Sequence, residues 1–176
     1  MDFVAMTHPL VAEPRSHGAV REGVIAGTVG AATVALWFLV VDIIAGQPLY
    51  TPTSLGTAVM NLFEWTAQST AVPVVLYTVF HVGAFALIGT IAVAFVHLAQ
   101  RDVSLLLGLV ILFVAFEIGF YLLVLVLDIS LLGSLAWKQI APANLLAALF
   151  MGGYLWRTHP ALHGRLNEGL SGAGTT

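Results

Sequence analysis

From Val103 to Asp128 the chain is an almost unbroken apolar run with Glu117 near its middle. A helix needs about 20 apolar residues to cross the hydrocarbon core of a bilayer, and this run supplies them. An ionisable side chain at such depth is costly and marks a functional site by default. What Glu117 faces is therefore the question that the rest of the sequence has to answer.

The bulk numbers agree with a chain that lives in lipid. Of 176 residues, 59% are hydrophobic and 9% charged, against roughly 25% charged in an average soluble domain. Mean hydropathy is +0.97. Six Lys and Arg against nine Asp and Glu give a formal charge of -3, which leaves no basic footprint for nucleic acid. There is no cysteine, so disulfide, thiolate-metal, iron–sulfur and C-x-x-C-H haem chemistry drop out. The first apolar run is too long for a cleavable signal segment and lacks a clear small-residue cleavage site.

Four spans are expected, at about 22–44, 73–100, 103–128 and 135–157, within one transmembrane domain over 21–157. Pro73 is well placed as a first helical residue. The arms 1–20 and 158–176 read as mobile cytoplasmic tails. Arg15, Arg21, Arg101, Arg157 and Arg165 then share one side and Lys138 the other. The positive-inside rule puts both termini in the cytoplasm, in a bacterial-type inner membrane. The fold class is all-α, a polytopic membrane protein with an up-down bundle of four transmembrane helices.

The longest loop, from Gly46 to Val72, holds a further helix at about 53–68. Thr51-Pro52 supplies a cap and a first residue. Leu55, Val59, Leu62, Phe63 and Thr66 recur at helical spacing, while Asn61, Glu64 and Gln68 point elsewhere. This helix lies on the outer surface with Trp65 at headgroup level, or else packs as a lid on the bundle.

Gly23, Gly27, Ala31 and Ala35 form a ridge of small residues on the first span. Ala143, Ala147 and Met151, next to Gly152, repeat the interval on the fourth. Such ridges let membrane helices approach closely, so the first and fourth spans are expected to touch. A homodimer seam is the competing use.

Depth brings the polar residues together. His81 lies about 12 Å below Pro73 and Glu117 about 16 Å below Asp128, at 1.5 Å per residue. Asp42 sits at the outer end of the first span. Asn144 lies beside Pro142, which cannot donate a backbone hydrogen bond. Glu117, Tyr121 and Asp128 share one face of the third helix, and Tyr77 stands one turn from His81. The expected buried cluster is thus Glu117, His81, Tyr121, Tyr77, Asp42, Asp128 and Asn144, in the outer half of the bundle.

A His81–Glu117 pair would share a proton or couple a solute to one. The same two residues are the candidate metal ligands, imidazole and carboxylate, although E-x-x-H and H-E-x-x-H are both missing. A satisfied structural network is the plain alternative. His81 and His97 point about 160° apart on one helix, so a bis-histidine haem is disfavoured. His8, His17, His159 and His163 lie in the polar tails, where they could form a weak surface metal patch but read more simply as solvated residues. No G-x-S-x-G occurs, and Ser104 and Ser130 read as caps, so the sequence leans away from an enzyme.

Three functions follow. The first is an accessory or scaffold subunit of a larger membrane assembly. The second is a proton-coupled or small-solute transporter centred on Glu117 and His81, working as a homo-oligomer. The third is a metal- or haem-dependent membrane redox enzyme. Membrane lipid is the expected partner in all three.

Overall fold

The computed structural model describes residues 16–66, 68–99, 105–126 and 133–160. These form five helices, and no strand occurs among them. They are α1 (Ser16–Ile44), α2 (Tyr50–Leu62), α3 (Ala71–Ala99), α4 (Leu106–Val126) and α5 (Gly133–Thr158). The chain is all-α, as its composition demands. α1 starts six residues before the expected 22, because nothing after Pro14 stops a helix. α3 starts at Ala71, so Pro73 is its third residue. It still sits in the first turn, where an N–H is not needed.

Two helices carry stretches long and apolar enough to cross a membrane, Gly18–Ile44 and Ala71–Ala99. Four such helices were expected. In α4 the apolar stretch is Leu107–Leu122, and the ends of the expected span, near 103 and 128, lie outside the described residues. α5 has 26 residues, but Lys138, Gln139, Pro142 and Asn144 dilute its first half and Arg157 its last turn.

α1 is the hub, packed antiparallel on both α3 and α5. Against α3 the approach is close enough to need glycine. A methyl group on Gly27 would run into the Phe85 carbonyl, one on Gly89 into the Gly23 carbonyl, and one on Gly23 into the Thr90 backbone. The first-span ridge therefore serves α3 rather than α5. The expected contact between the first and fourth spans is nevertheless present, made by the neighbouring face of α1. Ala26 packs with Leu155, Gly30 lies on Met151, and Val34 and Phe38 pack with Ile140, Ala143 and Ala147.

α2 also differs from expectation. It covers Tyr50–Leu62 rather than 53–68, and it buries Thr51, Leu55, Gly56, Ala58 and Met60. Leu62, Phe63 and Trp65 are exposed, with the Phe63 and Trp65 rings stacked at 5.1 Å. Two features draw α2 onto the bundle. Gly56 lets it settle on the Pro73 carbonyl at the start of α3. The second is a capping carboxylate from α1. Leu49, just before α2, is left-handed at φ 69 and gives no side-chain cap. Asp42 caps in its place, accepting from the Thr51 N–H at 2.8 Å and the Thr51 hydroxyl at 2.7 Å. A left-handed leucine costs roughly 1–2 kcal/mol, and these charge-assisted bonds offset it.

Outside this packing the surface is apolar. Leu36, Val40, Val75, Val79, Leu87, Leu149 and Phe150 are all exposed, and so are Leu107, Val110, Ile111, Val114, Ile118 and Leu122 along α4.

Candidate functional site

α4 stands away from the α1–α3–α5 core, and the gap is a cavity of about 580 Å³. Its wall is largely apolar, from Phe80, Phe85, Phe113, Phe116, Phe120 and the aliphatic residues between them. The polar residues in the wall are few: Glu117, Asn144, His81, Tyr77 and Thr51. A second cavity of about 330 Å³, between α1, α2 and α3, shares His81, Tyr77 and Thr51 and adds Asp42.

Glu117 is one of two polar groups of α4 that meet α5, the other being Tyr121. Its Oε2 accepts a 2.7 Å hydrogen bond from the Asn144 amide. Its Oε1 is buried and has no partner among the described residues. Asn144 lies two residues after Pro142, where α5 already lacks one backbone hydrogen bond. Tyr121, one turn from Glu117 and within its electrostatic reach, bonds to the α5 backbone at Ala141.

His81 faces α1. Its Nε2 lies 3.2 Å from the Ala31 carbonyl, and its Nδ1 lies 3.3 Å from the Tyr77 hydroxyl. A carbonyl can only accept, so the proton is on Nε2, and Nδ1 accepts from Tyr77. The ring is stacked against Tyr77 at 5.2 Å and tilted against Phe85 at 4.8 Å. With both nitrogens engaged, His81 offers no free lone pair to an ion. Ala31 is a small residue of the α1 ridge, and that is what admits the imidazole to the α1 backbone.

The expected cluster thus resolves into three hydrogen-bonded groups: Glu117 with Asn144, Tyr77 with His81, and Asp42 with Thr51. The first two border the same cavity. Asp42 is buried at 4% exposure, and both its oxygens are occupied by Thr51. Asp128 lies outside the described residues.

A further group went unread in the sequence. His159, expected in a solvated tail, is buried at 9% exposure just beyond the end of α5. Its Nδ1 lies 3.3 Å from Glu22 Oε1, and His97 Nε2 lies 3.8 Å from Glu22 Oε2. The two imidazoles are 5.2 Å apart. Thr158 donates to Glu22 Oε1 at 2.8 Å. Glu22 near the start of α1, His97 near the end of α3 and His159 after α5 are brought together because α1 runs antiparallel to both partners. The one available signal was that each flanks an apolar run on the side shared by both termini.

Comparison with known protein families, characterised proteins and solved structures finds no match to this chain.

Proposed function

We propose that this chain is an integral membrane protein that crosses the bilayer four times with both termini cytoplasmic. Its central cavity binds a small, mainly apolar solute bearing one hydrogen-bond donor or cationic group, as the binding site of a transporter. The observation that carries this reading is the Glu117 carboxylate in the cavity wall, with one oxygen fixed by Asn144 and the other buried and unpartnered. A buried acceptor without a partner costs about 1–3 kcal/mol, and once Oε1 turns toward the cavity a hydroxyl or ammonium group on a bound solute would recover it. The cavity also has the character of small-molecule sites, which are about 300–1,000 Å³, largely apolar and provided with few polar groups.

The membrane setting draws on two helices long enough to cross and on exposed apolar side chains around α1, α3, α4 and α5. Water tolerates contiguous apolar patches of only a few hundred Å², whereas lipid covers them without cost. A scaffold role rests on weaker ground, because the ridges suited to partner helices are occupied inside the bundle.

The test is a titration of the detergent-solubilised protein with a dansylated alkylamine, alongside a dansylated alkane of equal length. The wild type is expected to bind the amine saturably, one per chain, and better than the alkane. Glu117→Leu should weaken amine binding by about tenfold or more, the equivalent of 1.4 kcal/mol, and leave the alkane unaffected. Equal affinity of wild type and Glu117→Leu for the amine would remove Glu117 from the site.

A further inference from the structure

We infer that Glu22, His97 and His159 form a site for a divalent transition metal of the zinc class, at the end of the bundle where α1 begins and α5 ends. The donor set is two imidazoles and one carboxylate. Zinc accepts this set with a fourth position left open. Donors from α1, α3 and the residue that follows α5 converge, and all lie within 4.8 Å of one another.

The spacing is close to that of a bound ion. Donors about 2.1 Å from a tetrahedral ion lie about 3.4 Å from each other. The imidazole–carboxylate separations are 3.3 Å from His159 to Oε1 and 3.8 Å from His97 to Oε2, so each ring faces its own carboxylate oxygen. The donor atoms of the two imidazoles lie within 4.8 Å of each other, and side-chain rotation closes the triangle further. His159 Nδ1 also lies 3.1 Å from the Leu155 carbonyl. A carbonyl can only accept, so in the metal-free chain this nitrogen carries the proton; an ion takes its place when the proton moves to Nε2 and frees the Nδ1 lone pair.

The surroundings support the ligands. The Thr158 hydroxyl donates to Glu22 Oε1, an outer-shell bond of the kind that orients a metal-binding carboxylate. The backbone N–H of His159 bonds to the Leu155 carbonyl at 3.1 Å, which fixes the chain just where α5 ends. The side chain of His97 is 42% exposed, so the open side of the triangle faces solvent and a water or small anion could complete the coordination. The site is separate from the Glu117 cavity and does not depend on the transport reading.

The experiment uses the full chain in detergent, stripped with a chelator and titrated with Zn²⁺ alone by calorimetry at neutral pH. One ion per chain is expected, with a higher melting temperature in the zinc-loaded protein. His97→Ala and Glu22→Gln should each weaken binding at least tenfold, because outer-shell partners alone are worth about 10–100-fold. His97 is exposed enough that its substitution leaves the metal-free melting temperature near wild type, which separates loss of the site from loss of the fold. The triple variant His8→Ala, His17→Ala, His163→Ala should bind zinc as the wild type does. Absence of saturable binding, or binding unaffected by His97→Ala, or binding lost in the triple variant, would overturn the site.

Discussion

The two sides of this bundle are built on opposite principles. Along the α1–α3 seam, glycine meets backbone at Gly23, Gly27 and Gly89, and the helices touch with almost no side chain between them. Along α4, bulky apolar residues line a cavity of about 580 Å³, and the polar clasps to α5 are the Glu117–Asn144 bond and the bond of Tyr121 at Ala141. In the membrane setting proposed above, helix association has no hydrophobic drive and rests on close packing and polar bonds. The α1–α3 seam uses the first device and the α4 side the second. The difference shows how one small chain holds a closely packed half and a hollow half, and the proposed binding site lies on the side with the weaker packing.

The contrast is broken most severely at Gly27. Gly27→Leu places a side chain against the Phe85 carbonyl, a backbone atom that cannot step aside. Overpacking of a tight interior costs about 1–3 kcal/mol even where side chains can adjust, so a loss at or above the top of that range is expected. Thermal unfolding in detergent reads it as a fall in melting temperature or a failure to accumulate. A melting temperature equal to wild type would mean that the seam is not closed.

Asp42→Ala attacks the cap between α1 and α2. It leaves the Thr51 N–H and hydroxyl without their acceptor, beside the left-handed Leu49. Helix caps contribute about 0.5–2 kcal/mol. The expected result is a stability loss in that range, with faster proteolysis in the turn from Ala45 to Leu49. Unchanged proteolysis would show that α2 is held by Gly56 and Pro73 alone.

The sequence was informative where chemistry and spacing coincide. An all-helical chain followed from composition, and the Gly23–Gly27–Ala31 ridge from its interval of four, although its partner did not. A ridge states that something approaches closely and says nothing about which helix. α4 was the hardest to orient, because apart from Glu117 and Tyr121 it is apolar on every side and its hydrophobic periodicity marks no face. Depth along the helices put Glu117 and Asn144 at similar levels, and rotation then decided their pairing. His159 was misread because a histidine after the last apolar residue looks like tail. Only the antiparallel packing of α1 brings Glu22 to it. α2 was drawn too far along the chain because Leu62, Phe63 and Trp65 are apolar yet unburied. The capping carboxylate nine residues before Thr51 had no local signature.

The mildest substitution tests the hollow side directly. Gly119 lines the cavity two residues after Glu117 on α4, and a Cβ added there meets nothing within 4 Å. Gly119→Leu therefore adds an apolar side chain to empty space and replaces a helical glycine, which is about 1 kcal/mol worse than alanine in a helix interior. The melting temperature should stay near wild type or rise, in contrast to the collapse expected at Gly27. Binding of the dansylated alkylamine should fall even though Glu117 and Asn144 are intact, because the leucine occupies volume that the solute needs. Retained binding together with retained stability would mean that the solute sits elsewhere along α4. A large loss of stability would mean that α4 packs closer to the core than the cavity implies, and the distinction between the two halves of the bundle would fail with it.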